Sequence, residues 1–203
     1  GRHVSVFSAL GEPLGQWPDL EPPAVLTAIA VSPPRVFVAD AGQRVVHVFD
    51  PEGRAISRIG AVDPARHASE FVIPSPYFDL VVGPDELLWV VNPGKRRVES
   101  YADTGELQSM WGAAGGGIAD FFGCCNPAHL ALLPDGRFVT SEKGIPRIKV
   151  YSDAGEFQHV VAGPRELGVS ASALVDARGD RSERVFDVAV APDGAVCVLD
   201  TRA

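Results

Sequence analysis

The chain has no stretch of about 18 uninterrupted apolar residues, so no segment reads as a membrane-spanning helix. Nor does it sustain apolar spacing at i, i+3, i+4 and i+7, which leaves almost no helix to expect. Positive charge is scarce. Lys and Arg number 18 against 26 Asp and Glu, a formal net charge of −8, and a nucleic-acid backbone is a poor partner for such a surface. The familiar catalytic signatures are missing too: there is no nucleophile elbow, HExxH, Walker loop or CxxC pair, and nothing resembles a complete catalytic triad. That leans against an enzyme. No signal peptide is visible; this says little, because the first residues fall in the middle of a repeat. Disorder is excluded by the 46% of hydrophobic residues, ample apolar surface to bury.

What the chain does have is turn residues and repetition. Glycine (21) and proline (17) are spread along it between short Val/Ile/Leu/Phe runs, the pattern of many short strands joined by tight turns. The segments HVSVFSALGEPLGQW, VHVFDPEGRAISRIG, VESYADTGELQSMWG and IKVYSDAGEFQHVVAG are versions of one hairpin. Each strand ends in an aromatic, Phe7, Phe49, Tyr101 or Tyr151, at spacings of 42, 52 and 50 residues. A turn glycine follows four residues later, Gly11, Gly53, Gly105 or Gly155. A second hairpin lies between these copies: LTAIAVSPPRVFVAD, FDLVVGPDELLWVVN, HLALLPDGRFVTSE and FDVAVAPDGAVCVLD. Its turn is led by Pro33, Pro84, Pro134 or Pro192, and its second strand ends in Asp40, Asn92, Glu142 or Asp200. Two hairpins per period of about 50 residues make four antiparallel strands, one propeller blade. The fold class is therefore an all-β propeller, read as one domain over 1–203. An outer half-blade occupies 1–20, full blades 26–60, 71–112 and 125–163, and an inner half-blade 185–203. Either the two half-blades pair into a composite blade, or the chain is an arc of a larger propeller.

The run VFVADAGQRVVHVFDPEGR and its sister copies resemble the NHL repeat. The resemblance implies a propeller, often six-bladed, with each blade running from an inner strand at the axis to an outer edge strand. FGCCNPAHLALLPDGRFVTSEKGIPRIKVYSDAGEF further resembles a set of exported bacterial NHL-like proteins, which implies an exported, periplasmic or extracellular location. Some NHL-like propellers are metal-dependent lyases with histidines around the axis. Of His3, His47, His67, His129 and His159, only His129 falls on an inner strand.

Three insertions, 61–70, 113–124 and 164–184, depart from the repeat. GAAGGGIADFFGCC is glycine-rich, but without a strand–loop–helix setting it reads as a flexible loop and not as a phosphate cradle. Its end carries adjacent Cys124 and Cys125, open to three readings: a vicinal disulfide, a soft-metal or redox thiol pair, or two inert thiols. Cys197 aligns with Phe37, Trp89 and Val139 and is expected in the core. Aligning the inner strands puts Ala28, Asp79, His129 and Asp187 at one position, facing the axis, with Ile29, Leu80, Leu130 and Val188 turned to the packed face. Asp79, His129 and Asp187 would converge near the channel, where two carboxylates and an imidazole suit a divalent metal or acid–base work. No other cofactor is expected. Cys124, Cys125 and Asn126 adjoin this set as candidate ligand-binding residues. Asp40, Asn92, Glu142 and Asp200 are expected as turn caps paired with Arg44, Arg97 and Arg147. The reading that follows is a non-catalytic binding or scaffolding propeller whose loops meet a protein partner or a small ligand. Its rivals are a metal-dependent enzyme or redox module at the channel mouth, and a structural subunit of a larger assembly.

Overall fold

In the computed structural model, which describes residues 1–60, 70–170 and 184–200, alternating apolar strands pair into antiparallel sheets of the expected size. Three sheets have four strands each, joined in sequence order. The first comprises β3 (Leu26–Ser32), β4 (Arg35–Asp40), β5 (Val45–Phe49) and β6 (Ala55–Ile59). β7 (Leu80–Val82), β8 (Leu88–Asn92), β9 (Arg97–Tyr101) and β10 (Leu107–Trp111) make the second. The third is built of β11 (His129–Leu132), β12 (Phe138–Glu142), β13 (Arg147–Tyr151) and β14 (Phe157–Ala162). Two-stranded sheets flank them, β1 (Ser5–Phe7) with β2 (Pro13–Gln16) and β15 (Phe186–Val190) with β16 (Val196–Asp200). Among the described residues the half-blades form separate sheets, and no composite blade closes a ring. Among the described residues no helix is long and apolar enough to cross a membrane.

Neither face of a middle blade could stay in water, because both carry apolar side chains. The core accordingly lies between sheets. Trp89, Phe138, Trp111, Tyr151 and Phe121 interleave between the second and third blades, and Val139, Ile148, Phe186 and Val188 between the third blade and the β15–β16 hairpin. Each fully buried aromatic of this kind contributes on the order of 1.5–3 kcal/mol. The outer hairpin turn locks neighbouring blades. Gly155 has φ 80°, and a Cβ there would meet the Trp111 ring at 2.2 Å. Gly53 stands in the same relation to Trp17. A side chain at either glycine would be strained by its own backbone and would collide with the tryptophan of the preceding blade.

Hydrogen bonds also cross the seams at the inner strands. Thr27 Oγ1 donates to the Phe78 carbonyl (2.6 Å), Leu130 N–H to Asp79 Oδ2 (3.0 Å), and Ser141 Oγ to the Phe186 carbonyl (2.6 Å). Toward either end of the array the inner strands are less covered. Ile29 and Val31 on β3 and Leu199 on β16 are 52%, 64% and 60% exposed. Cys197 lies exposed beside Leu199 and not in the core, since no sheet of the described residues stands against that face.

Candidate functional site at the inner strands

Inner strands that repeat in register carry equivalent side chains to equivalent places, and this brings Asp79, His129 and Asp187 together. His129 Nδ1 lies 3.4 Å from Asp79 Oδ2 and 3.3 Å from Asp187 Oδ1. One donor atom from each of the three falls within 4.8 Å of the others. The carboxylates are anchored by backbone. Asp79 Oδ1 accepts from Leu80 N–H and Oδ2 from Leu130 N–H, while Asp187 Oδ1 accepts from Val188 N–H. Exposure grades across the cluster, from 17% at Asp79 and 21% at His129 to 47% at Asp187, so it opens toward solvent on the Asp187 side. Burial works against a charged imidazole at His129, but the hydrogen bond and charge of Asp79 and the charge of Asp187 outweigh it and raise the pKa above the ordinary value. Tyr77 meets the imidazole edge-on, with centroids 6.1 Å apart, and Lys143 Nζ lies 5.1 Å from the Tyr77 ring centroid. Ala28 leaves the corresponding place in the first blade without a donor.

The glycine-rich insertion is held by a set of hydrogen bonds, contrary to the flexible loop expected from its composition. A buried lysine explains the difference. Lys149 Nζ donates to the carbonyls of Ile118 (3.2 Å) and Asp120 (2.9 Å) and pairs with Glu142 (3.3 Å). Tyr151 Oη donates to the intervening Ala119 carbonyl (2.8 Å), and Arg147 reaches the Asp120 carbonyl (3.3 Å). Three successive carbonyls thus turn inward, the outer two onto the Lys149 ammonium and the middle one onto the Tyr151 hydroxyl, and Lys149 Nζ also lies 4.8 Å from the Phe121 ring centroid. Close approach is felt at Gly115, where a Cβ would stand 2.1 Å from Asp120 Oδ2, and not at Gly116, which has open space around it. Burial lowers the Lys149 pKa to about 8, with Glu142 opposing the shift.

Lys149 belongs to a set that the alignment of hairpins overlooked. The third residue of each third strand is buried and polar, His47, Glu99 or Lys149, and each faces the residue ending the second strand. His47 Nε2 lies 3.1 Å from Asp40 Oδ2, Asn92 Nδ2 donates to Glu99, and Lys149 pairs with Glu142. The signal was present in the sequence as an ionisable residue inside each third strand, VHVF, VESY and IKVY. Turn capping is as expected at Asp40, whose Oδ1 accepts from Val25, Gly42 and Gln43 N–H. Burial would raise the Asp40 pKa; those bonds and His47 more than offset it and hold the carboxyl below its usual value. The arginine pairing is realised once as expected, Arg147 on Glu142 at 2.6 Å, and that pair is buried, not a surface one. Arg97 pairs instead with Glu99, and among the described residues no pair joins Arg44 to Asp40.

Past the loop, Cys124 Sγ and Cys125 Sγ lie 3.2 Å apart as free thiols, the first exposed and the second buried. Hydrogen bonding to Cys125, burial and the charge of Cys125 raise the Cys124 pKa, against the nearby Lys143 ammonium. Asn126 is buried and spends its side chain on backbone. It accepts from Lys143 N–H (2.8 Å) and donates to the carbonyls of Lys143 (2.9 Å) and Phe122. That makes it the clamp that positions the cysteines. His67 and most of the insertions 61–70 and 164–184 lie outside the described residues.

No family model matches the chain, and no curated protein matches it. Solved propeller structures do. A Bacteroides caccae protein of unknown function aligns at TM-score 0.60 and 10% identity, covering 98% of this chain and 61% of that one. Kuenenia stuttgartiensis hydrazine synthase aligns at 0.60 and 18%, covering 98% and 49%. Virginiamycin B lyase from Staphylococcus aureus aligns at 0.58 and 12%, covering 100% and 64%. The chain therefore spans roughly half to two thirds of these structures, and at such identities the likeness is one of fold.

Proposed function

We propose that the chain is a non-catalytic binding propeller of the NHL type, and that its recognition element is the channel mouth, where Asp79, His129 and Asp187 hold a divalent cation. The convergence of three donors from three successive inner strands carries this reading. Tetrahedral coordination at bonds of about 2.1 Å sets neighbouring donor atoms about 3.4 Å apart, and His129 Nδ1 already stands 3.4 and 3.3 Å from the two carboxylate oxygens. Two carboxylates and one imidazole suit zinc or manganese better than a soft ion. All three donors come from the protein side, so the outer positions of the cation stay open to a ligand or partner. The setting is exported, periplasmic or extracellular, and the uncovered apolar faces at Ile29, Val31 and Leu199 suit further blades or a larger assembly.

Calorimetric titration of the chelator-stripped protein with zinc, and separately with manganese, tests the reading. One equivalent is expected to bind, with at least tenfold weaker binding in His129→Ala and in Asp79→Asn. Stoichiometric binding that both variants leave unchanged, or no binding at all, would overturn it.

A further inference from the structure

We propose that Cys124 and Cys125 are a reversible dithiol–disulfide pair at the channel mouth, exchanging with low-molecular-weight disulfides. The proposal does not rest on cation capture. The two sulfurs lie 3.2 Å apart. Two thiolates on a tetrahedral zinc ion, with bonds of about 2.3 Å, would stand about 3.8 Å apart. A disulfide needs about 2.05 Å. The observed spacing is already inside the zinc value, on the disulfide side. The backbone on both flanks is fixed, so the sulfurs are held in each other's company. Upstream, Phe122 N–H donates to Glu142, which Arg147 and Lys149 grip in turn. Downstream, Asn126 ties the chain to Lys143 on both its N–H and its carbonyl.

The pair is also asymmetric in the way a two-step exchange requires. Cys124 is exposed and meets an incoming disulfide, whereas Cys125 is 3% exposed and meets only its neighbour. The Cys124 thiolate attacks one sulfur of a small disulfide RSSR, forming a Cys124–SR mixed disulfide and releasing RS⁻. The Cys125 thiolate then attacks Cys124 Sγ, forming the Cys124–Cys125 bond and releasing the second RS⁻. The protein loses two protons and two electrons, and RSSR leaves as two thiols. Cys197 takes no part, because it sits on β16 in another sheet.

The test is intact mass of the chelator-treated chain after equilibration in glutathione buffers from fully reduced to fully oxidised, followed by alkylation. Toward the oxidised end the protein should lose two hydrogens, two alkylation sites should vanish together, and Cys197 should stay alkylatable. Fragmentation should place the bond at Cys124–Cys125. Cys125→Ser should accumulate a single glutathione mixed disulfide at Cys124, and Cys124→Ser none at Cys125. The wild-type mass alone decides the matter if either variant does not fold. Two alkylatable thiols at 124 and 125 in every buffer, or oxidation that yields only Cys197-linked dimers, would overturn the proposal. Chelator in every sample keeps this outcome separate from the fate of the cation reading.

Discussion

Replacing Lys149 with methionine removes one charge and little volume from a fully enclosed polar cluster. Lys149 and Glu142 are both fully buried, and the lysine holds two loop carbonyls as well as the carboxylate. Deleting one partner of a buried pair costs about 3–5 kcal/mol, because the other charge is left without compensation. Arg147 keeps its own bonds to Glu142, at 2.6 and 3.1 Å, which places the loss at the lower end of that range. With a urea slope of about 2 kcal/mol per molar, a loss of about 3 kcal/mol moves the unfolding midpoint down by about 1.5 M. The loss should localise: protease cleavage within 113–124 should precede global unfolding in the variant. A pH series supplies an independent arm. The folded lysine titrates near 8 against an ordinary value of 10.5. Between those values the unfolded chain holds a proton that the folded chain has released, so this group makes stability rise with pH. The rise should be absent in Lys149→Met. A midpoint shift below about 0.5 M, with loop cleavage unchanged, would refute the claim that Lys149 latches the insertion.

Two further outcomes follow from the repeats. Asp40→Asn should lower stability at pH 7 by about 1–2 kcal/mol, through loss of the charged cap for three N–H groups and of the His47 partner. Because the folded Asp40 pKa lies below the ordinary 3.8, its contribution is present above that value and is lost on acidification. Chemical unfolding at pH 7 and pH 3 should therefore show the gap between wild type and variant closing at the lower pH. Gly155→Ala should destabilise by more than about 1 kcal/mol, since the left-handed backbone and the Trp111 ring both oppose a side chain there; loss of near-ultraviolet tryptophan ellipticity at lower urea would report it.

Register explains what could be read in advance. A glycine four residues after an aromatic, and a proline-led turn between apolar strands, are local signals that recur because each blade solves the same packing problem. From them the strands and the alignment of Asp79, His129 and Asp187 follow. The convergence of those three is the alternation of side chains on inner strands carried around an axis. What escaped was decided by contacts far apart in sequence. Composition makes GAAGGGIADFFGCC look loose, and only the carbonyls meeting Lys149 some thirty residues later show otherwise. Asn126 looked like a ligand-facing amide, yet its partners are the backbone of Lys143 and Phe122. Cys197 shares a strand position with buried residues in sister blades, but burial there is conferred by whichever sheet stands opposite.

The bond from Leu130 N–H to Asp79 Oδ2 has a mechanical meaning. An array of blades comes apart at the seams between neighbours, since each unit touches only the next. Asp79, His129 and Asp187 straddle two consecutive seams, and one of their oxygens is already the stitch across the first. A cation bound there, as proposed, would therefore act as a rivet through two blades and the β15–β16 hairpin. Its binding would be felt less as local ordering than as resistance to peeling: the blades on either side would open together where they had opened one at a time.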